Sequence, residues 1–494
     1  MRTRPGRRSF IHVSGREPER FGRYGSCSGA APAAVPVPRQ GTDITRPIAS
    51  LTRNRAIADP VTKQGTDITR PIASLTRTGQ LALNTLNRQS YYVRHETQVE
   101  LIKILLSHLD AGTNVDAGET FVNNISTYTD PEQAEREWNE WFVGLPQLIG
   151  MSGDLPQVGS FFTNNEYGIP ILATRDQSGR FRAFVNSCRH RGAVVESEPR
   201  GQKRRFTCPF HSWTYDTEGA LVGLPKAEHF GDVDNECLGL RELPSEERHG
   251  LLFVHPDPEG QIDLDWLLGA WFNEEFSTWG FEDLERLTAD EYDTACNWKL
   301  AMDTFGETYH FNSLHSNTLA NSFHGNVQCY DEDGHLHRMI LCKRAIDEMR
   351  HLPEDEWDIT VAGLPVYWLF PNVILMPFEI GVFLVRALPD RNDPGRHTSK
   401  VDFYIRQAKL GQAQENLGTA NLTEIAKEIA STFSRIIRDE DYAMSCSQQA
   451  CANGSALEQT IFGRNEPALH HYHKTYRRML GYADSIPPTS SQAG

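Results

Sequence analysis

The feature that most constrains this chain is a pair of short mixed motifs: Cys188-Arg189-His190, then 17 residues, then Cys208-Pro209-Phe210-His211. Each half offers one thiolate and one imidazole, close enough for a tight loop to aim both at one point. Four such donors so near together demand a turn-rich scaffold that brings two loops side by side. The flanking sequence supplies one. Gly153-Asp154, Gly168-Ile169-Pro170, Gly179, Gly201 and Gly219 punctuate short β-rich pieces at 171–174 and 181–186, which predicts a small all-β domain.

Zinc is the first ion that Cys and His donors suggest. Zinc pairs usually group like ligands, as Cys-x₂₋₄-Cys followed by His-x₃₋₅-His, whereas here each half is mixed. Mixed halves suit a Rieske [2Fe-2S] cluster, in which two Cys hold one iron and two His hold the other. Exchanging two thiolates for neutral imidazoles removes negative charge, so an added electron costs less. The potential then rises well above the roughly −400 mV of all-thiolate plant-type clusters. Cys188, His190, Cys208 and His211 are therefore the candidate cluster ligands. Trp213 and Tyr215 read as packing around the loops, with the Tyr215 hydroxyl a candidate hydrogen-bond donor to the cluster. Arg189 and Arg191 read as solvated loop charges.

A second group of donors follows: Asn297-Trp298-Lys299-Leu300, then Asp303, Glu307, His310 and His315. An Fe(II) ion that must bind O2 needs few protein ligands and open positions, which two His and one carboxylate provide. The segment 294–313 has helical character. On an ideal helix His310 and His315 stand about 140° apart, so a break near Asn312-Ser313 is needed to aim both at one ion. Glu307 and His310, three apart, share a face. Asp303 and Glu307 are the candidate catalytic carboxylates. The third ligand must come from elsewhere, and Arg438-Asp439-Glu440-Asp441-Tyr442, in a helix predicted over 422–452, holds three candidates.

The rest of the chain reads as α+β. Residues 91–109 and 131–142 predict helices. Strands predicted at 366–370, 373–376, 382–387 and 400–408, between flanking helices, imply a second domain around an antiparallel sheet. The expected divisions are 1–88 (extended or disordered), 89–148 (helices packing on the iron-binding part), 149–257 (all-β), 258–482 (iron-binding) and 483–494 (tail). The first division repeats QGTDITRPIASLTR at 40–53 and 64–77; two copies are too few to stack into a solenoid. A net charge of −16 opposes a general nucleic-acid binder, although residues 1–88 alone carry 15 Lys/Arg against 5 Asp/Glu. Nine cysteines, an odd number without a secretory leader, argue against a disulfide framework and for a reducing, cytoplasmic setting. No apolar run approaches the roughly 20 residues that cross a bilayer, so no membrane span is expected.

Several of these motifs together carry a family resemblance: the cluster loops, the Asn-Trp-Lys segment with its Glu-x₂-His-x₄-His, the acidic stretch at 438–441, and Phe462-Gly463-Arg464-Asn465-Glu466-Pro467. Over most of residues 90–482 the chain resembles the α subunits of Rieske non-haem iron, aromatic-ring-hydroxylating oxygenases. The resemblance implies a Rieske β-sandwich domain followed by a helix-grip (START-like) catalytic domain, a [2Fe-2S] cluster and a mononuclear Fe(II). By motif position it makes His310 and His315 iron ligands, Asp441 the third ahead of Asp439 and Glu440, and Glu307 a bridge between the two centres. Such subunits usually form homotrimers or α3β3 assemblies, in which the cluster of one subunit feeds the iron of its neighbour. The bridging residue is commonly Asp. Glu at that position is similar to the subset acting on quaternary ammonium compounds such as choline and carnitine.

An oxygenase of this kind implies a small-molecule substrate, O2 and a separate NAD(P)H-dependent reductase, with or without a ferredoxin. No Gly-x-Gly-x-x-Gly follows a strand here to bind a nicotinamide or flavin. Tyr367, Trp368 and Phe370 are candidates for holding a flat ring or a cation, against core packing, the usual fate of strand aromatics. A Rieske electron carrier without oxygenase activity and a zinc-bound structural protein are the competing readings.

Overall fold

The computed structural model describes residues 94–484, apart from 233, 379, 408–409, 412–421 and 455–456. The expected tail at 1–88, its repeated segment, and Tyr91 lie outside these residues.

Short strands and tight turns build the region around the Cys/His loops. Ser160–Asn164, Ile171–Arg175 and Phe181–Val185 pair antiparallel at the centre of a five-stranded sheet, with Glu242–Leu243 and Arg200–Gln202 at its edges. Arg205–Thr207, Thr214–Asp216 and Leu221–Gly223 form a separate three-stranded sheet, and Gln147–Met151 joins Ser245–Arg248 and Leu251–Val254 in another. Phe161, Leu172 and Phe184 from the first sheet pack with Phe206 and Tyr215 from the second and with Trp213 just before it. The core so formed lies directly beneath the two ligand loops.

The second region is one antiparallel sheet of seven strands. In chain order they are β1 (Glu285–Thr294), β2 (Phe323–Asp333), β3 (Leu336–Lys343), β4 (Gly363–Leu369), β5 (Val373–Phe378), β6 (Gly381–Pro389) and β7 (His397–Ile405). They lie in the order β1-β7-β6-β5-β4-β3-β2, an open meander of β2 to β7 with the first strand added beside the last. Helices α1 (His95–Ala111), α2 (Leu264–Trp279), α3 (Trp298–Asp303), α4 (Leu422–Ile436), α5 (Tyr442–Asn453) and α6 (Pro467–Met479) surround this sheet in sequence. Alternation along the strands sends Tyr367, Leu369, Leu375 and Leu384 into one core with Phe272, Phe276 and Trp279 of α2. Val366, Trp368, Ile374, Met376 and Phe383 enter another with Trp298, Ala426, Tyr472 and Tyr476. Both faces are buried, which is why these strands read as continuous apolar runs.

Charged side chains tie the two regions together. Arg386 donates to Glu166 at 2.8 Å, Lys400 pairs with Glu166 at 2.8 Å, and the Tyr404 hydroxyl donates to Asp154 at 2.6 Å. A second buried pair, Lys299–Glu137 at 2.5 Å, is sealed from water, with side chains 1% and 0% exposed. Burial pulls the Lys299 ammonium down and Glu137 holds it up. Lys299→Ala, which strands the Glu137 carboxylate, is expected to cost about 3–5 kcal/mol in denaturant unfolding. A loss under about 1 kcal/mol would mean that the charges do not face each other as a pair.

Two elements differ from expectation. The segment 294–313 is helical only over α3. Beyond it Gly306 lies so close to α6 that a Cβ there would meet Leu469 at 2.5 Å and Tyr472 at 2.8 Å. The helix expected over 422–452 is interrupted by a π-helical turn, Ile437–Asp441. Tyr367 and Trp368 are core: the Tyr367 hydroxyl donates to Glu275 and accepts from Trp279, and Trp368 Nε1 donates to the Pro371 carbonyl. Among the described residues, no helix is long and apolar enough to cross a membrane.

Candidate active site

Two loops of the same design carry the first four donors. In each, the Cys amide donates to the carbonyl five residues on: Cys188 to Ala193 and Cys208 to Trp213, both at 2.8 Å. The Cys carbonyl accepts from the amide four residues on, Gly192 at 2.9 Å and Ser212 at 3.0 Å. Closing loops this tightly puts Gly192 at φ 76° and Ser212 at φ 60°. Gly tolerates that region, and for Ser it costs about 1–2 kcal/mol.

Cys188 and Cys208 are buried. The rings of His190 and His211 stand 4.6 Å apart, and His190 stacks on Trp213 at 5.1 Å. The Tyr215 hydroxyl accepts from the Arg189 amide at 3.0 Å and lies 3.4 Å from Cys188 Sγ. Burial, then the contact with Cys188, pushes its pKa up, so it stays a donor toward the sulfur.

Two observations match these donors to a two-iron cluster. His190 Nδ1 is buried without a hydrogen-bond partner, an arrangement that native proteins avoid unless something binds there. Among the described residues, one group of three or more donors falls within a common 4.8 Å, and it is not drawn from these four. That spread is too wide for a single zinc with ligands about 2.0–2.3 Å away, and suits two pairs gripping opposite ends of a larger unit.

The group that does converge is His310, His315 and Asp441. The histidines meet because α3 stops at Asp303 and the chain continues in successive turns: Gly306 N bonds to Asp303 O at 3.1 Å, and Leu314 N to His310 O at 2.8 Å. Asp441 closes the π turn, whose extra residue per turn is a common device at functional sites. The two Nε2 atoms are 3.1 Å apart, and Asp441 Oδ1 lies 3.4 Å from His310 and 3.2 Å from His315. Ligands about 2.1 Å from a shared ion, at angles of about 95–105°, stand about 3.1–3.3 Å apart.

An acid fixes the far side of each ring. Glu307 takes His310 Nδ1 and accepts from the His310 amide at 3.1 Å. Glu440 meets His315 Nδ1 at 2.7 Å and is held in turn by the Thr318 hydroxyl at 2.8 Å. Each ring thus offers Nε2 to the common point, with its tautomer set by a carboxylate on Nδ1. Burial disfavours the imidazolium, yet Asp441 and Glu307 outweigh it and lift His310 to about 10. Burial works against the Asp441 carboxylate as well, and the two histidines still hold it below the usual range. The pocket favours a positive charge at its centre.

A cavity of about 580 Å³ opens onto this triad. Phe305, Phe311, Phe323, Phe378, Phe383 and Phe433 line it, with aliphatic residues between them. Asp303 is not in its wall: the carboxylate accepts from the Tyr128 hydroxyl at 2.7 Å and meets His473 Nε2 at 2.9 Å, clamping the end of α3 against α6. Asp439 is exposed and paired with Arg438. Sequence reasoning missed Glu440 as a partner of His315, and missed Tyr128 and His473 altogether. Only their distant positions, 128 and 473, connect the last two with Asp303.

Comparison with known proteins agrees with this geometry. Residues 146–243 match the family model for the Rieske [2Fe-2S] domain, and residues 281–482 match that for the ring hydroxylating alpha subunit (catalytic domain). Together the matches take in more than half of the chain. Among curated proteins, the chain is 33% identical over 193 residues to the biphenyl 2,3-dioxygenase subunit alpha of Rhodococcus jostii, covering 37% of this chain and 41% of that protein. It is 32% identical over 186 residues to the 2-aminobenzenesulfonate 2,3-dioxygenase subunit alpha of an Alcaligenes species, covering 37% and 47%. The glycine betaine monooxygenase oxygenase subunit of Chromohalobacter salexigens is 30% identical over 195 residues, covering 39% and 42%. These alignments span about half or less of each relative's length. Among solved structures, the quaternary ammonium Rieske monooxygenase CntA with L-carnitine superposes at a TM-score of 0.60 with 20% identity, over 72% of this chain and 94% of that one. Naphthalene 1,2-dioxygenase from a Rhodococcus species superposes at 0.56 with 17% identity, over 77% and 97%, which extends the likeness of fold to both regions. The chain belongs to the large subunits of Rieske oxygenases, which join a Rieske [2Fe-2S] domain to the catalytic domain of ring-hydroxylating alpha subunits.

Proposed function

We propose that this chain is the terminal oxygenase of a Rieske non-haem iron system that hydroxylates an apolar, aromatic small molecule with O2. Electrons come from a separate NAD(P)H-dependent reductase, with or without a ferredoxin, and the working assembly is a homotrimer or α3β3. The observation that carries this reading is the phenylalanine-lined cavity ending on His310, His315 and Asp441.

Cys188 and Cys208 would hold one iron of the cluster and His190 and His211 the other; His310, His315 and Asp441 would hold the mononuclear iron. When bound, these groups supply one-electron storage and activation of O2. The chain's own side chains do the rest. Glu307 and Glu440 keep His310 and His315 in the tautomer that presents Nε2. Phe311 packs 5.3 Å from His315 and 5.1 Å from His310, so it shields the ligands from water on the substrate side. Phe383 and Phe433, 4.3 Å apart, form an apolar wall for a flat ring. Asp303 acts as a positioning residue through Tyr128 and His473.

A second reading, oxidation of a quaternary ammonium compound, is favoured by Glu307 standing where the family commonly has Asp. Purified protein should be red-brown and contain three irons per chain. Two irons would indicate an electron carrier, and a colourless zinc protein would reject both readings. A panel of hydrocarbons, aromatic acids and quaternary amines, run with a surrogate reductase, is expected to give oxygenated product from the ring compounds. Product from the amines alone would select the second reading.

A further inference from the structure

The turn that carries His310 has to be held in place from outside itself. Glu307 and His310 bond to each other, which fixes the ring relative to the turn and leaves the turn's own place in the protein open. Helix α3 has already ended at Asp303, so no helical ladder carries that position forward. Thr308, which lies between the two and is buried, is the point of attachment.

The attachment is to a bulge in β2. Phe323 pairs with Lys343 of β3 and Gln328 with Leu341, so β2 uses more residues than β3 over the same stretch, and the surplus at 324–327 leaves the ladder. This bulge meets the turn at three places. The Asn326 amide donates to the Thr308 carbonyl and to the Thr308 hydroxyl, each at 3.1 Å. Gly325 backs onto Asn312, whose side chain an added Cβ would meet at 2.8 Å. Phe323 packs 5.7 Å from Phe311. His310 stands between Thr308 and Asn312, so it is held on both flanks.

Amide side chains from distant segments pin the bulge in turn. Asn326 stands at φ 59°, in the left-handed region that Asn tolerates better than most residues. Its Oδ1 accepts from Asn114 Nδ2 at 3.0 Å and from Asn465 Nδ2 at 2.9 Å. Gln328 is fully buried: its Oε1 accepts from the Thr308 hydroxyl at 3.1 Å, its Nε2 donates to the Asn465 carbonyl at 3.3 Å, and its main-chain amide donates to Asn114 Oδ1 at 3.0 Å. Asn465 belongs to the motif at 462–467, which the metal donors do not use. In a network closed in this way, loosening one member leaves buried polar groups of the others unpaired.

We propose that Asn326 and Gln328 are positioning residues for the iron site: through Thr308 they set where His310 and Glu307 stand relative to His315 and Asp441. A metal site works when its donors stand within about 0.5 Å of the productive geometry, and side chains beyond the donors supply that precision. The inference rests on the oxygenase reading above, which makes His310 an iron ligand, and it adds two residues outside both the donor set and the cavity wall.

Iron affinity tests this apart from turnover. Chelation removes the mononuclear iron from the purified holoprotein, Fe(II) is titrated back, and the cluster absorption serves as the control for folding. Nitric oxide added to the ferrous site then reports donor geometry by EPR. Asn326→Gly keeps the left-handed backbone and deletes the Oδ1 acceptor; it is expected to weaken Fe(II) about tenfold or more and to change the EPR spectrum. Asn326→Asp keeps an acceptor in the same place and should match the parent in both, a rescue that a general loss of stability would not give. Gln328→Leu should act in the same direction as Asn326→Gly, and the Asn326 pair decides the matter where Gln328→Leu does not fold. Parent-like iron affinity and spectrum in Asn326→Gly, or equal loss in Asn326→Gly and Asn326→Asp, would overturn the inference. The oxygenase reading fails by a different result: parent protein that takes up no third iron while its cluster is intact.

Discussion

Asp441→Ala protein is expected to hold two irons per chain in place of three, to keep its red-brown colour, and to form no product. The triad offers three donor atoms within 4.8 Å, and each carries a share of the site that the others cannot replace. Without Asp441, His310 and His315 lose the carboxylate that meets both Nε2 atoms, and two neutral imidazoles hold a hard divalent ion poorly. The cluster donors sit on loops of a different region, at 188–190 and 208–211, so their absorption serves as an internal control for folding. Asp439→Ala is the matched control, because Asp439 is exposed and faces Arg438; its iron content and rate should be those of the parent protein. Glu440→Gln should fall between, losing about 10–100-fold in iron affinity or rate, as is usual when the partner of a metal-bound His is changed. Three irons and undiminished turnover in Asp441→Ala would remove Asp441 from the metal site.

The cluster region was legible in the sequence because its chemistry is local. Both loops are closed by hydrogen bonds spanning four or five residues, so Cys188 with His190, and Cys208 with His211, had to share a loop whatever the rest of the chain did. The seven-stranded sheet was partly legible: the runs at 366–370, 373–376 and 382–387 correspond to β4, β5 and β6, and 400–408 to β7, which ends at Ile405. Strand β1 was hidden because it mixes exposed and half-buried residues at an edge of the sheet and carries little apolar signal, and β2 and β3 were hidden as well.

The candidate iron site was legible in the residues that converge and not in its backbone. A helix was expected through 294–313, with a break to bring the two histidines together. In fact α3 ends at Asp303, seven residues before His310, and Gly306 then passes close to Leu469 and Tyr472, an approach that only a residue without a Cβ allows. That contact lies more than 160 residues away in sequence, beyond any local pattern. The π turn is hidden for the same reason. Residues 437–441 have ordinary helical composition, and the extra residue serves the histidines that Asp441 meets on a distant segment. Asp303 stands in the same motif as Glu307, yet its partners, Tyr128 and His473, come from opposite ends of the described chain.

Glu307→Ala should leave both kinds of metal bound at saturating iron and slow single-turnover product formation at least 100-fold. The carboxylate makes two contacts with one residue, to His310 Nδ1 and to the His310 amide, so it fixes the ring and keeps an anion on the side away from the metal. It is also partly open to solvent. The Glu307 side chain is 13% exposed, and Tyr309, two residues on, is 66% exposed. A neighbouring subunit that covered Tyr309 would lie beside Glu307. Orientation and relay make different demands on the same carboxylate, and Glu307→Gln separates them. The amide can still accept a hydrogen bond from the ring, so a purely orienting role predicts a change of only a few-fold. A role that needs the negative charge predicts a loss close to that of Glu307→Ala, with substrate affinity unchanged. If Glu307→Ala itself matched the parent in single turnover, the carboxylate would be a support for His310 alone, and contact with the neighbouring subunit would have to reach the iron by another side chain.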